Sequence, residues 1–85
     1  MQPVTLYTTP ICPYCIAAKR LLDSKGISYT DIDVMADPSK RQEMMQRAGR
    51  HTVPQIWVGE THVGGCDELH ALERAGKLDP LLADA

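Results

Sequence analysis

Two cysteines, Cys12 and Cys15, are separated by Pro13 and Tyr14. Thiols at that spacing can share one disulfide or stand free, which suits either a redox centre or half of a metal site. The motif follows an apolar, β-branched run and precedes a helical pattern, so the first sulfur falls at a helix N-terminus. Backbone N–H groups and the helix dipole there favour a thiolate over a thiol. The thiolate is the species that attacks a disulfide, so this placement reads as redox. Cys12 is expected to be exposed and to attack. Cys15, one turn inside the helix, is expected to be more buried and to resolve the mixed disulfide, with Pro13 stiffening the turn between them. A zinc knuckle needs four ligands, usually from two such pairs. Only Cys66 and three histidines remain, with no second pair at ligand spacing. No metal is therefore expected.

Two further segments carry candidate chemistry. Thr52-Val53-Pro54 precedes a short apolar run. A proline there serves equally as a simple edge breaker or, with a cis bond, as a device that leaves the Val53 N–H and C=O unpaired. Those groups would then pair, strand-like, with an extended peptide. Gly64-Gly65-Cys66-Asp67 precedes a helical pattern. Paired glycines let a ligand approach the backbone, and a helix N-terminus can hold a carboxylate. An ordinary strand-to-helix turn capped by Asp67 has the same sequence.

The elements that position these residues follow from pattern and punctuation. Val4–Thr8 reads as a buried strand ending at Pro10. A helix is expected over about 13–25, with Pro13 in its first turn and Gly26 as its stop. Ile16, Ala17, Arg20, Leu21 and Ser24 lie on one side of it; Cys15, Ala18 and Leu22 lie on another. A second strand is expected over 27–34, parallel to the first through a right-handed crossover. Asp37-Pro38 starts a second helix that carries Arg41, Met44, Met45 and Ala48 and ends at Gly49. Residues 50–52 read as a loop. Gln55–Val58 and Thr61–Gly64 form a hairpin across Gly59-Glu60. Cys66 or Asp67 caps a third helix running to about Ala75, and Leu78, Leu81 and Leu82 pack as a last short turn. The order gives an α/β protein with a four-stranded mixed sheet and helices on both faces.

Composition narrows the class. The 85 residues carry 9 lysines and arginines against 11 acidic residues, a formal charge of −2. That size suits one domain with a modest core. The charge excludes a basic nucleic-acid binder, and no apolar run approaches the ~20 residues of a membrane span. Three cysteines are too few and too unevenly spaced for a secreted disulfide framework. The opening residues 1–5 lack the charged start and apolar stretch of a signal peptide. A cytoplasmic protein is expected, with no nucleic acid or membrane among its partners.

Taken together, Cys12-Pro13-Tyr14-Cys15, Thr52-Val53-Pro54 and Gly64-Gly65-Cys66-Asp67 closely resemble the glutaredoxin family. The resemblance is strongest to the small bacterial dithiol glutaredoxins of the third type, and it extends over almost the whole chain. It implies one glutaredoxin domain across residues 1–85 with a thioredoxin-like fold. It implies a monomer that binds no cofactor and uses glutathione as co-substrate. Its other partners would be disulfide-bonded or glutathionylated proteins. Carried over residue by residue, Cys12 takes the glutathionyl group and Cys15 resolves, the two forming the redox-active disulfide. Tyr14 and Thr52 flank the glutathione, and Val53 makes an antiparallel backbone pair with its cysteine ahead of a cis Pro54. After Gly65, the N–H groups of Cys66 and Asp67 hold the α-carboxylate of its glutamyl end, and the Asp67 carboxylate meets its α-ammonium.

One position departs from the family pattern. The lysine often found three residues before the first cysteine is Thr9 here. Arg50 and His51, nearest the Thr-Val-Pro loop, are the candidate replacements. Cys66 is expected to be a small apolar residue without a redox role, Met44, Met45 and Trp57 packing residues, and His51 the histidine nearest the site. Two rival functions remain. One is a redoxin reduced by thioredoxin reductase, which the glutathione segments disfavour. The other is a dimeric [2Fe–2S] scaffold ligated by Cys12 of two chains and two glutathiones, which Pro13 and the second thiol disfavour.

Overall fold

The computed structural model describes residues 1–83. In chain order the elements are β1 (Val4–Thr8), α1 (Pro13–Ser24), β2 (Thr30–Asp33), α2 (Pro38–Ala48), β3 (Gln55–Val58), β4 (Thr61–Gly64), α3 (Cys66–Arg74) and α4 (Leu78–Ala83). The strands form one sheet in the order β2-β1-β3-β4. β1 pairs parallel with β2, antiparallel with β3, and β3 pairs antiparallel with β4. This is the expected mixed four-stranded sheet.

Strand alternation sorts the core into two layers. Val4 and Leu6 of β1 and Ile56 and Val58 of β3 face α1, α3 and α4, where they meet Ala18, Leu22, Leu69, Leu78 and Leu82. Tyr7 of β1 and Trp57 of β3 face the other way, against Val34 and Met44 of α2. Both central strands are therefore covered on both faces, and β3 is buried at all four residues. The α2 side also carries a polar seal. Tyr7 donates its hydroxyl hydrogen to Glu43 at 2.6 Å and accepts from Arg47 at 2.8 Å. The Arg47 guanidinium lies 4.3 Å from the Trp57 ring centroid, so the stretch of basic residues before the loop is partly structural.

The helix limits follow the local chemistry. Asp37 caps α2 by accepting from the Ser39 N–H at 3.0 Å, and Gly49 closes it at φ 67°. The limits of three elements are corrected. α1 stops at Ser24, with Lys25 as its C-cap. β2 is shorter than 27–34 because the Ile27 N–H donates back to the Leu22 carbonyl at 3.0 Å, ending α1 rather than joining the sheet. At its other end the Asp33 carboxylate accepts from the N–H groups of Met35 and Ala36, at 2.9 and 3.2 Å, and turns the chain. α3 is capped by Gly65, not by Cys66 or Asp67, and ends at Arg74. The reason is Glu68, whose carboxylate reaches back to the Gly65 N–H at 2.7 Å. Among the described residues no helix is long and apolar enough to cross a membrane.

Candidate active site

β1 delivers the chain to Cys12, which is the N-cap of α1 in extended backbone geometry, φ −96° and ψ 115°. Its carbonyl accepts the Ile16 N–H at 3.0 Å, and its sulfur accepts the Cys15 N–H at 3.2 Å. A side chain at this position sits in front of the amide hydrogens that the first turn of a helix leaves without intrahelical partners. Cys15 is different. It is fully buried under α1. Burial, joined by its contact with Cys12, pushes its thiol up to about 12. All three cysteines are free in this structure.

A raised value means that the proton stays on, so Cys15 remains a thiol throughout the neutral and mildly alkaline range. The expected result is that iodoacetamide at pH 8 labels Cys12 in the folded, reduced protein and leaves Cys15 unlabelled. Peptide mapping by mass spectrometry reads this directly. Equal labelling of both cysteines would contradict the asymmetry.

The Val53–Pro54 peptide bond is cis. The preceding loop folds over the start of α1, and the Val53 carbonyl lies 3.8 Å from Cys12 Sγ. This corrects the expectation that the Val53 carbonyl stays unpaired: the Cys12 thiol reaches it. Opposite this loop, β4 ends at Gly64 and the chain turns through Gly65 into α3. Gly64 has φ 114°, and a Cβ there would lie 2.5 Å from a Glu68 carboxylate oxygen. The turn therefore favours glycine for its positive φ, and a Cβ would displace the Glu68 carboxylate.

Between the loop and the α3 N-terminus lies a cleft of about 230 Å³. Tyr14 lines it. Thr52, Val53 and Pro54 form one wall, and Gly65, Cys66 and Asp67 form the other. All seven residues that the resemblance assigns to glutathione thus surround one space, and Cys12 touches its wall through the Val53 carbonyl. The enclosed volume is small for a ligand pocket, which commonly exceeds ~300 Å³. The site is an open trough that supports a ligand along one side.

Of the two candidate cations, Arg50 lines the trough. His51 is exposed, and its carbonyl accepts from Arg41 at 3.4 Å. Arg50 is also engaged, 3.0 Å from the Glu68 carboxylate. That pair and the Gly65 N–H hold Glu68 below the usual carboxylate range. His51 is not the histidine nearest the site cysteines. His70, one turn along α3 from Cys66, places Nδ1 2.9 Å from the Cys66 carbonyl and 3.3 Å from its sulfur. A carbonyl only accepts, so Nδ1 carries the hydrogen. Cys66 itself is buried, and burial, followed by the negative charge of Asp67, pushes its thiol up. That supports its assignment as a packing residue.

Sequence pattern missed Gln55. Its side chain is fully buried, and every direction of its amide is used. The nitrogen donates to the Thr52 carbonyl and hydroxyl at 3.0 and 3.2 Å, and the oxygen meets His62 Nε2 at 2.7 Å. Gln55 thereby ties the Thr-Val-Pro loop to β4. His62 stacks on Trp57 at 4.6 Å, and burial lowers its pKa. The sequence signal was a polar residue at the first position of an otherwise apolar strand. Gln55→Leu leaves these partners unsatisfied and is expected to cost about 1–3 kcal/mol. Urea unfolding of the variant and the parent measures it, and equal midpoints would contradict it.

The geometry agrees with the comparisons. The glutaredoxin family model matches residues 4–63. A glutaredoxin of Pseudomonas aeruginosa is 61% identical over 83 residues, 98% of this chain and 99% of that protein. Glutaredoxin 3 of Escherichia coli is 51% identical over 82 residues, covering 96% and 99% respectively. Among solved structures, the buckwheat glutaredoxin–glutathione complex superposes with a TM-score of 0.88 at 32% identity, covering 95% of this chain and 76% of that one. The unequal thiols at a helix start, beside a cis-proline loop and a glycine-led helix, are those of a chain that belongs to the glutaredoxin family.

Proposed function

We propose that Cys12 and Cys15 divide the work of a glutathione-dependent thiol–disulfide oxidoreductase, with Cys12 as nucleophile and Cys15 as resolving thiol. The observation that carries this reading is the convergence of the Thr52–Pro54 and Gly65–Asp67 segments on one trough, with Cys12 Sγ 3.8 Å from the Val53 carbonyl in its wall. A glutathione lying in that trough would put its own sulfur beside Cys12. The Val53 backbone would pair with its cysteine, Tyr14 and Thr52 would flank it, and the α3 N-terminus would hold its glutamyl carboxylate. Asp67 would meet the α-ammonium. Arg50, released from Glu68, supplies the cation that Thr9 lacks.

On a glutathionylated protein the Cys12 thiolate attacks the glutathione sulfur. A Cys12–glutathione disulfide forms, the original S–S bond breaks, and the protein leaves as a thiolate. A second glutathione thiolate then attacks the glutathionyl sulfur, releasing oxidised glutathione and restoring Cys12. On a protein disulfide Cys12 first forms a mixed disulfide with one protein sulfur. Cys15 then attacks Cys12 Sγ, and its proton passes to the departing protein thiolate. The high pKa of Cys15 supports this order, because a thiol that ionises last is a poor first attacker. A monomer working in the cytoplasm suits a protein of this charge and of so few cysteines.

The deciding experiment reduces the oxidised protein with glutathione or with thioredoxin reductase and NADPH. Reduction by glutathione is the expected result. Reduction by the reductase alone would overturn the assignment of glutathione as donor.

A further inference from the structure

A second groove runs along α1, the helix that starts directly after Cys12. Pro13, Ile16, Ala17, Arg20 and Leu21 of α1 form its floor and one wall, and His70 of α3 forms the other. It is predominantly apolar and holds about 520 Å³, more than the trough. Two observations join it to the reacting sulfur. Pro13 is the residue directly after Cys12. His70 is held on the sulfur and carbonyl of Cys66, which belongs to the trough wall. The groove therefore begins at the residue next to the reacting sulfur, and its His70 wall is tied to the trough wall through Cys66.

The surface here is unusual for a chain of this size. Ile16 in the groove is 43% exposed, and Ile11 and Tyr14, close to Cys12 in the chain, are 78% and 63% exposed. Singly exposed apolar residues are ordinary, but several beside one reactive atom mark a contact surface. Arg20 is exposed, and among the described residues it makes no ion pair. Lys19 of the same helix and Lys25 at its C-cap are both paired, with Asp31 and with Glu73 and Asp79 respectively. The cation left over is the one at the groove.

We propose that this groove receives the polypeptide flanking the reactive cysteine of a protein substrate, and that it selects an apolar segment carrying an acidic residue three or four positions from that cysteine. The inference rests on the glutathione reading above: glutathione in the trough leaves the other half of the mixed disulfide to cross Cys12 onto α1. The spacing follows from geometry. From Pro13 to Arg20 the helix rises about 10.5 Å at 1.5 Å per residue. An extended chain at ~3.3 Å per residue covers that in three to four residues. Apolar side chains nearer the cysteine then lie on Ile16, Ala17 and Leu21, and a carboxylate reaches Arg20. None of these residues takes part in the thiol chemistry.

The test uses glutathionylated peptides with one central cysteine and apolar neighbours. One peptide has Glu four residues to each side, and a second has Gln at those positions. The mixed disulfide of glutathione with 2-mercaptoethanol is the small reference substrate. The parent protein is expected to prefer the Glu peptide in kcat/KM by about fivefold, the upper range for one exposed ion pair. Arg20→Glu is expected to abolish or reverse that preference while its rate on the small substrate stays within about twofold, because nothing of that substrate reaches Arg20. Equal rates on the two peptides with the parent protein would overturn the groove assignment. So would an Arg20→Glu variant that slows all three substrates alike. Failure of the parent protein on the small substrate would instead overturn the glutathione reading underneath.

Discussion

Cys12→Ser is expected to abolish turnover of glutathione mixed disulfides, whereas Cys15→Ser is expected to keep it. The two residues are three apart, yet the fold gives them opposite surroundings. Cys12 is half-buried and accepts an amide hydrogen from the start of α1. Cys15 is buried and holds its proton up to about pH 12. Serine at position 12 removes the proposed nucleophile, and a hydroxyl does not ionise at neutral pH. The loss should be at least about a thousandfold, as for removal of a covalent nucleophile. Serine at position 15 removes a thiol that this half of the reaction never uses, so the rate should stay within about fivefold of the parent. Protein disulfides make the opposite demand. There Cys15→Ser should accumulate a covalent complex between Cys12 and the substrate, visible on a non-reducing gel. Equal activity of the two variants on the small mixed disulfide would contradict the division of roles.

The second large effect is expected at Asp67. Its carboxylate lies at the exposed start of α3, in the wall of the trough, and is the one acid proposed to meet the glutamyl ammonium. Asp67→Ala keeps the backbone N–H groups that would hold the neighbouring carboxylate, so it isolates the ammonium contact. A hydrogen bond between charged partners contributes about 1.5–3 kcal/mol, and exposure places this one at the lower end. The expected result is a rise of about tenfold in KM for the glutathione mixed disulfide with kcat nearly unchanged. That pattern marks binding lost equally from ground and transition states. Glu68 provides the contrast, since its carboxylate already serves Gly65 and Arg50. A fall in kcat without a rise in KM would place Asp67 in the chemistry and contradict the binding role.

Much of this architecture is legible along the chain because local signals agree with one another. Val4–Thr8 was placed to the residue. The pair Asp37 and Pro38 fixed the start of α2, and Gly49 fixed its end. Cys15, Ala18 and Leu22 were placed on one face of α1, and all three are buried. What escaped was non-local. The limits of β2 depend on the Ile27 N–H finding Leu22 and on Asp33 finding two later amides. The cap of α3 depends on Glu68 reaching backward. Gln55 reads as an interruption in an apolar strand until the fold brings Thr52 and His62 to its two ends. His70 carries no signal at all until the pitch of α3 sets it over Cys66. The trough residues were nameable because three short segments, uninformative singly, occur together. The groove along α1 had no such motif, and only the packing of α3 against α1 creates it.

The most direct test of the account is to find which sulfur takes the glutathionyl group. The Cys15→Ser protein, incubated with oxidised glutathione under non-reducing conditions and then digested, gives peptides that mass spectrometry can assign. The account predicts one glutathionyl unit, on Cys12, with Cys66 left as a free thiol. An adduct on Cys66, or one divided between Cys12 and Cys66, would contradict it.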